Sequence, residues 1–175
     1  ISMNVISEVS FQQIRLIVKG YTPGAATPAE LERMKQLAAR SMREGAWGLV
    51  TRFESGGPEH PEEVIEVAKV VASMNGIYVS HIGSEGMEQD KELDFAIRVA
   101  EDVRIPVHIF HLKIRGRPNW GTVGKYVAKI EAARARAGEE VEHDDLLLSA
   151  RGHEHHPRAR DERHALHRSV HRPRA

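Results

Sequence analysis

Apolar residues along this chain alternate between helical spacing and short unbroken runs. Phe11, Ile14, Ile17 and Val18 recur at helical intervals, which predicts a helix over Phe11–Lys19 that Gly20 ends. The weak alternation from Met3 to Val9 before it reads as a strand. Thr27, Pro28, Ala29 and Glu30 form a capping box with proline at the first helical position, and Leu31, Met34, Leu37, Ala38 and Met42 mark the apolar face that follows. Gly45 closes that helix as a left-handed cap. Trp47–Thr51 is a short buried strand, and Pro61, Glu62 and Glu63 open the next helix with acids suited to its dipole. Val64, Ile65, Ala68, Val71 and Ala72 line it until Asn75 and Gly76 stop it. Ile77–His81 is a further strand, Leu93, Ala96, Ile97 and Ala100 give a further helical face, and Val107–His111 is the strand after Pro106. A last helix is predicted from Val123 to Ala137, with another strand beginning near Glu139–Val141.

Strand starts near Trp47, Ile77, Val107 and Glu139 recur about every thirty residues, the length of one βα unit. Short apolar strands of this kind belong to a parallel sheet covered by helices, so the fold class is α/β. Alternation alone does not separate a barrel from an open doubly wound sheet. At 175 residues the chain is too short for a whole (β/α)₈ barrel, which takes about 250 residues.

The pattern fails after Val141. From Arg151 onward 7 of the 25 residues are Arg and 6 are His, and apolar periodicity is gone. The reading is therefore two regions, 1–141 as part of an α/β structure and 142–175 as an Arg/His-rich tail. Two explanations of the tail compete: a basic disordered segment, or coding sequence read out of frame, since the break falls inside a βα unit. A metal-binding tail is the third possibility, and it lacks regular ligand spacing.

Composition narrows the function little. The formal net charge is +0, which gives no support for a nucleic-acid partner. Cysteine is absent, so thiolate ligands and disulfides are excluded within these residues. No apolar run approaches the roughly 18–20 residues of a membrane span, and no signal peptide opens the chain. The chain begins Ile1-Ser2-Met3, so its natural start is expected upstream and its compartment is expected to be the cytoplasm.

His81 and His111 carry the candidate chemistry, because each ends a predicted strand and the two strands are consecutive. Carboxyl ends of barrel strands build active sites, and two imidazoles meeting there suit a zinc-type ion. The competing reading is two unrelated histidines hydrogen-bonded near strand ends. His108 alternates away from His111 and is expected to face the other side of the sheet as a packing residue. His60 is expected to be exposed, and Trp120 either covers the pocket mouth or is buried under its loop. The Gly116–Gly121 loop (GRPNWG) lacks the lysine and hydroxyl of a phosphate cradle.

The runs IYVSHIGSEG (Ile77–Gly86) and PVHIFHLK (Pro106–Lys113), the second followed by GRPNWG, resemble the segments around the fifth- and sixth-strand histidines of the N-acyl-D-amino-acid deacylases (D-aminoacylases), members of the metal-dependent amidohydrolase superfamily. ATPAELERM (Ala26–Met34) and EGAWGL (Glu44–Leu49) are similar to the preceding helix and strand, so the likeness runs from about Asn4 to Val141. The resemblance implies a partial (β/α)₈ barrel, covering roughly the middle βα units and lacking the family's small β domain. It implies that His81 and His111 bind zinc, and that Lys113 holds the substrate carboxylate, a role open beside that of a solvated lysine. Ser84 and Glu85 fit the pattern as helix-start or supporting residues. It also implies hydrolysis of N-acyl-D-amino acids, small-molecule substrates, to a D-amino acid and a carboxylate. The family's His-x-His and bridging cysteine are expected upstream and its general-base aspartate downstream, so no catalytic base is assigned within these residues. Gly83 stands where the family usually has arginine, and the Leu49–Pro58 loop is shorter than usual. The alternatives are another amide or cyclic-amide hydrolase of the superfamily, and a non-catalytic gene remnant.

Overall fold

Ser10 ends the first strand and caps the first helix at once. Its side chain accepts a hydrogen bond from the Gln13 backbone N–H at 3.4 Å, so β1 (Val9–Ser10) runs straight into α1 (Phe11–Lys19). The computed structural model describes residues 5–53, 58–86, 88–136 and 146–148. Of the first strand that the sequence predicts, Met3 and Asn4 lie outside the described residues; among those described, Val9 and Ser10 enter the sheet, paired with Leu49 and Val50.

Thr27 and Glu30 make the predicted reciprocal cap at the start of α2 (Pro28–Arg43). Glu30 N–H donates to Thr27 Oγ1 at 3.3 Å and Thr27 N–H donates to Glu30 Oε2 at 2.7 Å. Then follow β2 (Gly48–Arg52), α3 (Pro61–Ala72), β3 (Ile77–His81), α4 (Gln89–Val103), β4 (Val107–Phe110), a 3₁₀ turn at Arg117–Asn119, α5 (Val123–Arg136) and β5 (Leu146–Leu148). The strand expected at 139–141 lies outside the described residues, and β5 is the strand that pairs with β4.

All pairings are parallel and the strands stand side by side in chain order, β1-β2-β3-β4-β5. A doubly wound sheet reverses its order at a switch point. An unreversed order, with right-handed crossovers, keeps the helices on one face and curls the sheet toward a barrel. Leu49, Tyr78, Val107 and Ile109 pack on that helical face against Val64, Val71, Leu93, Ala96 and Ile130. Thr51 and Tyr78 share a buried hydroxyl–hydroxyl hydrogen bond of 2.5 Å there, and burial pushes the Tyr78 phenol up and keeps it neutral.

The opposite face carries the residues of interest. Register sets Val50, Val79 and His108 in one row, and Arg52, His81 and Phe110 in the next row toward the carboxyl ends. β2 and β3 approach so closely at their start that a Cβ on Gly48 would lie 2.3 Å from the Ile77 carbonyl oxygen. Only glycine fits there.

Candidate metal centre

β3 delivers His81 as its last residue. The strand predicted to reach His111 stops at Phe110, and His111 follows at φ 37°. A left-handed conformation is uncommon outside glycine, and it breaks the strand's alternation. The His111 ring thereby lies over the same face as His81: the two Nε2 atoms are 2.9 Å apart, with ring centroids at 4.4 Å. His111 also stacks on Phe110 at 6.4 Å, and Phe110 meets His108 at 5.1 Å. The expectation that His108 and His111 face opposite ways is therefore corrected, because strand alternation does not continue through a left-handed residue.

Lys113 closes the other side of the imidazole pair. Its ammonium lies 3.1 Å from His111 Nδ1 and forms an ion pair with Glu85. An ammonium can only donate, so His111 Nδ1 accepts, Nε2 carries the ring proton, and that N–H donates to His81 Nε2. His81 Nδ1 is buried without a hydrogen-bond partner. Burial, then the neighbouring His111, Arg52 and Lys113, hold the His81 pKa below its ordinary value of 6.5, so its imidazole is neutral near neutrality. Burial lowers His108 in the same way, and its Nε2 is likewise without a partner.

The loops that carry these residues are anchored to the start of α4. The buried Glu92 carboxylate accepts from the backbone N–H of Gly83 at 2.6 Å and of Ser84 at 3.1 Å. One turn earlier, buried Gln89 donates from Nε2 to the Lys113 carbonyl at 3.2 Å, and Arg115 N–H donates to the Glu85 carbonyl at 2.6 Å. Ser84 Oγ accepts from Glu88 N–H at 3.3 Å, the helix-start role expected of it. Sequence reasoning missed Gln89 and Glu92. The available signal was position: Gln89, Glu92, Ala96 and Val99 lie on one buried helical face, where a solvated carboxylate does not belong.

Two expectations about the surroundings are corrected. Trp120 is 65 % exposed, so it is not buried under its loop. His60 is half-buried as the N-cap of α3, its Nε2 without a hydrogen-bond partner and 3.8 Å from the Glu59 carboxylate.

No protein-family model matches the chain. A D-aminoacylase of Alcaligenes xylosoxydans xylosoxydans is 32 % identical over 137 residues, 77 % of this chain and 28 % of that protein. The N-acyl-D-glutamate deacylase of the same organism is 27 % identical over 141 residues, 79 % of this chain and 29 % of its own length. A crystal structure of D-aminoacylase, described as defining a subset of amidohydrolases, superposes with a TM-score of 0.65 at 30 % identity over 78 % of this chain.

The chain belongs to the D-aminoacylase family.

It spans less than a third of the length of these D-aminoacylase relatives, 28 % of the first. The fold is shared further afield: an N-acyl-D-glutamate deacylase from Bordetella bronchiseptica, crystallised with zinc and a phosphonate inhibitor, gives a TM-score of 0.73 over 85 % of this chain at 23 % identity. The α/β architecture with its unreversed parallel sheet is thus part of the amidohydrolase TIM barrel. Another crystal structure concerns the binuclear metal centre of D-aminoacylase.

The residues present fit a metal ion in part. Two nitrogens held by one tetrahedral zinc lie about 3.3 Å apart, so the 2.9 Å pair needs only a small opening of the rings. Coordination through both Nε2 atoms requires the other His111 tautomer, with the proton on Nδ1 and Lys113 resting on Glu85 alone. Among the described residues no group of three or more His, Cys, Asp or Glu comes together to hold a metal. Nor is any described helix long and apolar enough to cross a membrane.

Proposed function

We propose that His81 and His111 are two imidazole ligands of a catalytic zinc, in a D-aminoacylase-type amidohydrolase that cleaves N-acyl-D-amino acids into a D-amino acid and a carboxylate. One observation carries this reading: two Nε2 atoms converge to 2.9 Å at the carboxyl ends of neighbouring parallel strands. Burial supports it, because a neutral His81 offers its lone pair to a metal rather than to a proton. When bound, zinc lowers the pKa of a coordinated water and polarises the amide carbonyl.

This chain's own residues hold and orient. His81 is fixed by the Glu92 grip on the loop that follows it. His111 is set by its left-handed backbone and its stacking on Phe110. Lys113 supplies positive charge on the substrate side, tempered by its ion pair with Glu85. Catalytic zinc normally takes three protein ligands and a water. The described residues supply two, so further ligands and the general base come from residues outside them.

Zinc titrated into the 175-residue chain by calorimetry is the first test. Binding is expected, weakened about tenfold or more in His81→Ala and in His111→Ala. Equal affinity in both variants would overturn the ligand assignment. In a protein with the complete ligand set, N-acetyl-D-amino acids are expected to turn over, and N-acetyl-L-amino acids and cyclic ureides are not. Turnover of the ureides instead would favour the cyclic-amide hydrolase alternative.

A further inference from the structure

The cation nearest the imidazole pair is already engaged. Lys113 donates to His111 Nδ1 and is ion-paired with Glu85. The loop immediately after His81, from Ile82 to Gly86, carries no cation at all. The carboxyl end of the next strand does. Arg52, the last residue of β2, stands directly opposite His81 in the parallel register and in the same row of the sheet face as His81 and Phe110. Its side chain is exposed, and among the described residues no carboxylate pairs with its guanidinium.

Its backbone is also unusually well fixed for a strand end. The Gln12 carboxamide clasps it from α1, with Nε2 donating to the Arg52 carbonyl at 2.8 Å and Oε1 accepting from the Arg52 N–H at 3.3 Å. A guanidinium on such a base presents a planar fork of donors suited to a carboxylate, a match that an ammonium does not make.

We infer that Arg52 is the residue that anchors the free carboxylate of the substrate beside the His81–His111 pair. The inference rests on the proposed reading of that pair and adds a specificity residue from a different strand. An N-acyl amino acid would engage Arg52 through its carboxylate, while its acyl amide lies over the imidazoles. Lys113, partly neutralised by Glu85, contributes less.

The test uses the full 175-residue chain with ¹³C-labelled histidine. His81 and His111 ring signals are followed while N-acetyl-D-leucine, or its neutral carboxamide N-acetyl-D-leucinamide, is added. The acid is expected to bind and shift the His81 signal, and the amide to bind about tenfold or more weakly. Arg52→Gln should erase that preference, Arg52→Lys should keep part of it, and Lys113→Gln should lose less than Arg52→Gln. Equal binding of acid and amide by the unsubstituted chain, or undiminished acid binding by Arg52→Gln, overturns the inference. Zinc titration of the same samples separates the two claims. Acid binding through Arg52 without zinc binding sinks only the metal reading. Zinc binding through His81 and His111 with an indifferent Arg52 sinks only this one.

Discussion

His81 and His111 lie 30 residues apart in sequence and 2.9 Å apart in space, Nε2 to Nε2. One is the last residue of its strand, and the other has just left its strand through a left-handed turn. The approach therefore depends on a backbone conformation as much as on two side chains.

Substitutions at position 111 should separate those two contributions. His111→Asn keeps a residue that tolerates the left-handed region, so stability is expected to change by about 0.5 kcal/mol or less while zinc binding falls. His111→Val puts a β-branched residue at φ 37°, which costs about 1–3 kcal/mol. Urea midpoints paired with zinc calorimetry would show the divergence. Equal destabilisation by both would mean that the ring, and not the backbone, sets the local energy.

Glu92 accepts from two backbone N–H groups in the loop following His81. Glu92→Gln keeps its shape but can oppose an amide NH₂ to those donors, so a loss of about 1–3 kcal/mol is expected. Amide hydrogen exchange at Gly83 and Ser84 should accelerate, and zinc affinity should fall about tenfold. Unchanged exchange at both amides would remove Glu92 from its positioning role.

Gly48 has no room for a side chain. In Gly48→Ala the added Cβ would meet the Ile77 carbonyl at 2.3 Å, forcing β2 and β3 apart. A cost of about 1–3 kcal/mol is expected, read from urea denaturation. A neutral Gly48→Ala would mean that the strands adjust freely at that point.

Burial depresses His108 below its ordinary pKa of 6.5. The unfolded chain takes up a proton near that value, whereas the folded chain takes it up only at lower pH. The stability from keeping His108 neutral is thus fully present above 6.5 and is lost as pH falls through 6.5 toward the folded value. The urea midpoint should decline over that range, and His108→Phe should flatten the decline. Some slope should survive the substitution, because His81 is shifted in the same direction. An identical slope in His108→Phe would mean that the folded and unfolded chains take up the His108 proton equally, and that burial does not depress it.

Much of this was readable in the residues because it is governed by local rules. The Thr27–Glu30 cap, the Gly20 stop and the strand carrying His81 follow from spacing and capping chemistry. His81 and His111 stood out because each lies at a strand's carboxyl end. What escaped was non-local or exceptional. Alternation mis-assigned His108 because nothing in the letters PVHIFHLK announces a left-handed residue at the sixth position. The Glu85 hold on Lys113 joins two different βα loops, so no spacing rule could reveal it. Arg52 lies one residue beyond the strand that the spacing predicts, and only the register sets it opposite His81.

The unreversed strand order bears on how the chain is made. Synthesis releases earlier strands first, and each later described strand finds its preceding neighbour already laid down beside it. The pairings of β2 with β3 and of β3 with β4 each close across a single helix, and that of β1 with β2 across two, so the entropic toll of bringing strands together stays small at each step. The His81–His111 meeting completes when β4 docks on β3. The two imidazoles are thus brought together by a single local docking step, which needs no later segment.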